Sequence, residues 1–250
     1  MHVHLPKPLH GWRAFAGEVG IIVLGVLIAL SAEQVVEYFR NLSELRKAEN
    51  AMKSELRDDD LPQAFIRAAV YPCYSAQLDA IEDAVASADR AKFVTLSKAY
   101  NPVFRTWDDA AWRAALASQI LAYAGSKRMI DWAGAYIPIP ILSHTASQES
   151  DALSRLWTRL DGDGPIPADQ RQRLFQVISD LRLFNRGMNF SSLAFMNVLS
   201  KRGLTLDAHR KRELLLEARQ TYGGCAAEPS PERLNMKRQL TFVFSDPLSR

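Results

Sequence analysis

The sequence lacks the residue patterns on which most enzyme sites are built. It contains no P-loop and no Gly-x-Gly-x-x-Gly, His-Glu-x-x-His or Gly-x-Ser-x-Gly motif. Its five histidines are scattered, and three of them, His2, His4 and His10, lie in the first ten residues. Adjacent carboxylates such as Asp108 and Asp109 diverge by about 100° on a helix, so they do not converge on one substrate atom. We therefore expect no catalytic residues, no cofactor and a protein that is not an enzyme.

The sequence also lacks a recognisable set of metal ligands. Two cysteines are too few for a structural zinc site on their own. The acidic run 58–60 is expected to cap a helix that begins at Pro62. The segment 161–164, Asp-Gly-Asp-Gly, has part of a calcium loop, but Gln172 stands where that loop requires glutamate. We therefore predict no metal site.

Neither sign of charge dominates the chain. Among 250 residues, 31 are Lys or Arg and 28 are Asp or Glu, which gives a net charge of +3. A nucleic-acid-binding protein usually carries a concentrated basic face, so we do not expect nucleic acid as a partner. The hydrophobic content of 48% is ordinary for a globular protein, and most of the chain should fold around a core.

One long apolar run is present, at 19–32, with the sequence VGIIVLGVLIALSA. A bilayer core needs about 20 apolar residues, and extension back to Trp12 reaches that length while including Arg13 and Glu18. We predict a transmembrane anchor helix over 12–32, in contact with the lipid bilayer, after a short cytoplasmic leader, 1–11. A cleaved secretory signal and a buried helix of a soluble domain remain alternatives.

The flanking charges indicate an orientation. Lys7 and Arg13 precede the apolar run, whereas Glu33 and Glu37 follow it. The positive-inside rule then places the N-terminus in the cytoplasm and the rest of the chain beyond the membrane. We expect a single-pass protein of a bacterial inner membrane, with the bulk of the chain in the periplasm.

The two cysteines, Cys73 and Cys225, are 152 residues apart. In an oxidising compartment they are a candidate structural disulfide. Closing so long a loop would stabilise the fold by roughly 4–5 kcal/mol if no strain opposes it. Two free buried thiols are the alternative interpretation.

The segment 17–30, GEVGIIVLGVLIAL, resembles the anchor of a group of uncharacterised bacterial single-pass membrane proteins. In that group a Gly-Glu pair opens a short apolar helix that ends in Gly-x-Leu-Ile-Ala-Leu. A second similarity is Thr106-Trp107, followed by Ala110, Ala111, Ser118 and Leu121. The resemblance implies a membrane anchor and a helical extracytoplasmic domain, and it implies no activity.

The rest of the chain has helical periodicity throughout. The spacing predicts that the anchor continues as a helix to about Arg57, and Pro72 should interrupt the next helix. Thr106 is expected to cap a helix, with Asp109 completing a capping box. The predicted helices are 31–57, 62–87, 88–99, 107–123, 126–160 broken at Pro138 and Pro140, 168–202, and 206–221.

These patterns predict an all-α fold, in which the N-terminal transmembrane helix continues into an antiparallel helical bundle over 33–225. The tail, 226–250, should be mostly irregular, although its apolar run 240–244 could dock on the domain or pair as a strand. Of Trp107 and Trp112, five residues apart on one predicted helix, at least one should be core.

The expected function is that of a non-enzymatic interaction or scaffold module, which binds a protein partner or associates with itself. The alternative is a ligand-binding or sensor-type domain. With about a dozen cytoplasmic residues, such a domain would have to signal through a partner. An enzyme with an unfamiliar site is a third alternative.

Overall fold

The computed structural model of the protein describes residues 11–103 and 106–230, without the side chains of residues 11, 13 and 14. The predicted leader and the apolar run 240–244 therefore lie outside the described residues, apart from Gly11. Within those residues the regular structure is entirely helical, and the predicted all-α fold is confirmed. The helices are α1 (Gly11–Ser54), α2 (Leu61–Ala69), α3 (Tyr71–Ala86), α4 (Arg90–Ala99), α5 (Ala110–Ala117), α6 (Ser126–Tyr136), α7 (Pro138–Trp157), α8 (Ala168–Ser200) and α9 (Ala208–Tyr222).

Helix α1 is a single rod of 44 residues, about 66 Å long. It contains no proline, and nothing in its sequence interrupts the backbone hydrogen bonds. Its described side chains are exposed as far as residue 40, whereas Leu45 and Met52 are buried in the bundle. The predicted continuation of the apolar helix into the bundle is therefore confirmed. The most apolar window of this helix has a mean hydropathy of 2.3 and no buried residue.

The described part of the bundle has two large hydrophobic clusters and a small one, and the 33-residue helix α8 contributes to all three. One large cluster lies between α3, α4, α9 and the end of α7. The other large cluster joins the end of α1 to α5, α6 and the start of α7. Helices α7 and α8 are antiparallel, since Arg155 of α7 binds Asp180 of α8 while Thr145 lies beside Gly187.

The prolines at 72, 138 and 140 lie in the first turns of helices. Helix α2 ends at Ala69, and Pro72 lies in the first turn of α3, which confirms the predicted interruption. The break at Pro138 is confined to the junction between α6 and α7, where proline occupies the first helical position. Pro140 does not break the helix as predicted, because it also lies in the first turn, where its missing N–H has no intrahelical partner.

The predicted capping box at Thr106 is wrong. Helix α5 begins at Ala110, and the carboxylate of Asp108 accepts a hydrogen bond of 2.9 Å from the Ala110 N–H. The helix ends after eight residues because Gln119 adopts a positive φ of +56°. A 3-10 helix, Ile120–Ala124, then turns the chain towards α6.

Candidate functional site

Helix α1 joins α2 through a π-helical turn, Glu55–Asp60, without leaving the helical conformation. The predicted cap at 58–60 is wrong, because Asp60 has helical dihedral angles and makes no side-chain capping bond. A π turn inserts an extra residue into a helix and is frequent at functional sites. Here it rotates Asp60 into the bundle, where it is 1% exposed.

Carboxylates from this junction are held by groups of α5 and α6. The Tyr136 hydroxyl donates to Glu55 Oε1 at 2.7 Å, and the Ala111 N–H donates to Glu55 Oε2 at 2.8 Å. The Trp132 indole donates to Glu49 Oε1 at 3.3 Å, and Arg128 approaches the same oxygen at 3.4 Å. These contacts fix α1 to the bundle by directional bonds as well as by apolar packing.

Asp60 is the least satisfied of the junction carboxylates. Its Oδ1 accepts a 3.5 Å hydrogen bond from the Asp108 N–H, and its Oδ2 has no hydrogen-bond partner. Burial raises the pKa of Asp60 to about 7, and the nearby carboxylates of Glu55, Asp59 and Asp108 contribute to the increase. A protonated Asp60 is therefore substantially populated at neutral pH.

Three of the five tryptophans, Trp107, Trp112 and Trp132, belong to the hydrophobic cluster beside this junction. Trp107 is 8% exposed and packs edge-on against Phe195, with ring centroids 6.2 Å apart. Trp112 stacks on Tyr136 at 5.4 Å. The prediction that at least one tryptophan belongs to the core is confirmed by Trp107.

A second polar centre lies inside the bundle, where Arg67 of α2 faces Glu149 of α7. The Arg67 Nη2–Glu149 Oε1 distance is 2.5 Å, and each side chain is 2% exposed. The guanidinium also lies 5.0 Å from the centroid of the Tyr74 ring, and Nη2 is 3.4 Å from Asn185 Oδ1. Burial alone would lower the pKa of Arg67, but the Glu149 carboxylate and the nearby Tyr74 and Tyr100 together outweigh this effect, and the pKa is raised.

Several polar atoms around Arg67 are buried without a hydrogen-bond partner. They include Nε and Nη1 of Arg67 itself and the hydroxyl of Tyr100. Burial raises the pKa of Tyr100, so its hydroxyl stays protonated. The arrangement can orient α2 against α7 and α8, because any shift of these helices would separate two buried charges.

Cys73 and Cys225 are joined by a disulfide, with their Cα atoms 5.2 Å apart. The bond connects the first turn of α3 to the segment after α9. A backbone hydrogen bond from Ala227 to Ala69, 3.0 Å long, lies next to it. Together they fasten the end of the described chain to the corner between α2 and α3.

The turn 161–164, whose sequence has part of a calcium loop, binds the side chain of an arginine. Arg90 donates to the carbonyl oxygens of Asp161 and Gly164, each at 2.9 Å. No group of three or more metal-ligating side chains is found among the residues that the structure describes. A cleft of about 670 Å³ lies beside this turn, and Arg90, which lines it, is bound to the carbonyl oxygens of the turn.

The surface of α6 and α7 carries an exposed apolar stripe, which we call the isoleucine stripe. Ile130, Ile137 and Ile141 are 70%, 65% and 54% exposed. Their spacings of seven and four residues place them on one helical face. The face is continuous across the junction, because Ile137 keeps helical dihedral angles between α6 and α7.

The sequence analysis missed the buried charges. A usable signal existed for Arg67, which interrupts the apolar run Ala64–Val70 on a buried helix. Nothing local identified Glu149, since the residues on either side of it are polar.

No protein-family model, no curated protein and no solved structure matches the chain.

Proposed function

We propose that this chain is a single-pass membrane protein whose helical bundle is a non-enzymatic interaction module. The N-terminal half of α1 supports the membrane part, because it is long, apolar and unburied. Leu45 and Met52 of the same helix are core residues of the bundle. A partner bound to the bundle would therefore be held at a fixed position relative to the membrane.

The isoleucine stripe is the observation that carries the interaction part. Three large aliphatic side chains on one face are exposed to more than half of their area. Contiguous exposed apolar surface on a soluble domain marks contact surfaces. The partner is a protein, either another chain or a second copy, with a complementary apolar face.

The disulfide supports an oxidising compartment, because such bonds persist there and are rare in the cytosol. With the flanking charges Lys7, Arg13, Glu33 and Glu37, it favours a cytoplasmic N-terminus and a periplasmic bundle at a bacterial inner membrane.

Photocrosslinking in intact membranes tests the interaction proposal. A photoreactive amino acid is placed at Ile137 or Ile141, and at Leu183 as a control that is 64% exposed but outside the stripe. We expect a crosslinked band from the stripe positions and none from Leu183, with its mass distinguishing a second copy from another protein. Bands of equal strength from all positions, or monomer alone, would contradict the proposal.

A sensor-type domain that signals through a partner is the second candidate, and Asp60 favours it. This carboxyl, with a pKa of about 7, lies where α1 meets the bundle. A change in its charge would alter the packing at the base of the membrane-type helix. The test measures the distance between spin labels on α1 and α8 at pH 6 and at pH 8. We expect this distance to change in the native chain and to stay constant in the Asp60→Asn variant. A distance that stays constant in the native chain would reject the sensor function.

A further inference from the structure

A mostly apolar groove of about 290 Å³ lies between α2, the end of α8 and the segment that leads into α9. We call it the α2–α8 groove. Leu61 and Phe65 of α2 and Leu193 of α8 are buried beneath it, and the half-buried Met196 and Leu206 stand beside them. Apolar grooves of this kind are docking surfaces for apolar side chains of another segment or another protein.

The chain itself enters this groove shortly after the disulfide. The Ala227 N–H donates to the Ala69 carbonyl oxygen at 3.0 Å, which holds the chain beside the end of α2. Glu228 and Pro229 then line the groove together with Phe65. The disulfide and this hydrogen bond therefore fix the point from which the C-terminal tail continues.

The length of this tail is sufficient for its apolar part to reach the groove. Residues 231–250 follow the described chain, and they include the run 240–244, LTFVF, most of whose side chains are large and apolar. The intervening segment 231–239 spans up to about 30 Å when it is extended. The groove extends about 10 Å along α8, from Leu193 to Ser200, so the run lies within reach of all of it.

The sequence of the run suits a groove of this size. In an extended chain the side chains alternate, so Leu240, Phe242 and Phe244 lie on one side, about 7 Å from one member to the next. Two neighbouring members therefore match the length of the groove. A short tether also gives the run an effective concentration in the millimolar range, which favours it over an untethered partner of equal affinity.

We propose that the run 240–244 docks in the α2–α8 groove of its own chain, with its apolar side chains against Phe65, Leu193 and Met196. The docked run would close this groove to other proteins and bury apolar surface at the end of the bundle. The proposal does not depend on the membrane anchor or on the isoleucine stripe, which lies on other helices.

Photocrosslinking of the full chain in intact cells tests the proposal. A photoreactive phenylalanine derivative replaces Phe242, monomer and larger products are separated on a gel, and the crosslinked peptides are identified by mass spectrometry. We expect crosslinks within the monomer to the segments 61–65 and 193–206. Crosslinks to these segments in a dimer band would overturn the proposal in favour of a second copy. Crosslinks to another protein, to other parts of the bundle, or none at all would also overturn it.

Two pairs of substitutions in the tail distinguish docking from random contact. Leu240→Asp/Phe244→Asp should reduce the crosslink yield from position 242 severalfold, because an unpaired charge is costly to bury in an apolar groove. Gln239→Asp/Ser245→Asp adds the same charge just outside the run and should leave the yield unchanged. Both pairs lie outside the bundle, so neither removes a side chain of its core. Equal yields from the two pairs would contradict the proposal.

Discussion

Arg67 and Glu149, 82 residues apart in sequence, form an ion pair in which each side chain is 2% exposed. The pair joins α2, which follows α1 and the π-helical turn, to α7. It therefore links the helix that follows α1 to a helix that carries part of the isoleucine stripe.

Removing one partner of this pair should be strongly destabilising. Arg67→Met leaves the Glu149 carboxylate buried without its cation, and we expect a loss of about 3–5 kcal/mol in the free energy of unfolding. The double variant Arg67→Met/Glu149→Leu should recover most of this loss, because no uncompensated charge remains. Denaturant unfolding in detergent micelles measures both.

The exposed pair Arg155–Asp180 provides a control, with side chains 49% and 41% exposed. Arg155→Met should cost less than about 1 kcal/mol. If Arg67→Met costs no more than Arg155→Met, the buried pair does not have the structural role assigned to it.

Reduction of the disulfide should destabilise the bundle without preventing its assembly. The loop closed by Cys73 and Cys225 spans 152 residues, and its loss predicts a decrease of about 4–5 kcal/mol in the unfolding free energy. Thermal unfolding of the native chain with and without dithiothreitol measures the effect. The variant Cys73→Ser/Cys225→Ser should match the reduced protein and be insensitive to the reductant; equal stability of both forms would contradict the prediction.

Asp60 should make the stability depend on pH in the direction opposite to that of an ion-paired carboxylate. Its pKa is about 7 when folded, against an ordinary value of 3.8. Between these values the folded chain holds a proton that the unfolded chain has released. The Asp60 contribution therefore decreases as pH rises from about 4 to 7, by up to about 1.4 kcal/mol per pH unit.

Asp60→Asn should remove this component, so that its unfolding free energy varies less between pH 4 and pH 7 than that of the native chain. Identical pH profiles for the two proteins would show that Asp60 titrates normally.

The bond from Tyr136 to Glu55 should contribute to the attachment of α1. Tyr136→Phe leaves one Glu55 oxygen without its 2.7 Å donor, and we expect a loss of about 1–3 kcal/mol. Tyr123→Phe changes an exposed tyrosine of the 3-10 helix and should stay within about 0.5 kcal/mol of the native value. Equal effects of the two substitutions would argue against a junction held by Glu55.

The all-α fold was predictable because its signals are local. Prolines at 72 and 138 mark the helix starts, and the apolar spacing after residue 33 carries α1 into the bundle. The π turn was not predictable, because Asp60 in an acidic run looks like a cap and only tertiary packing buries it. The burial of Arg67 was predictable from the apolar run that it interrupts, but its partner Glu149 was not, because it lies on a helix 82 residues away.

The central claim, that α1 crosses a membrane and the bundle lies beyond it, is tested most directly by cysteine labelling in bacterial spheroplasts. A membrane-impermeant maleimide is applied to Leu183→Cys, in the bundle, and to Lys7→Cys, in the leader. We expect labelling of Leu183→Cys in intact spheroplasts and of Lys7→Cys only after lysis, with both chains retained in membranes washed with alkaline carbonate. The claim would be contradicted if Leu183→Cys were not labelled in intact spheroplasts or if the carbonate wash released the protein from the membranes. It would also be contradicted if the mature chain lacked the segment that contains Lys7.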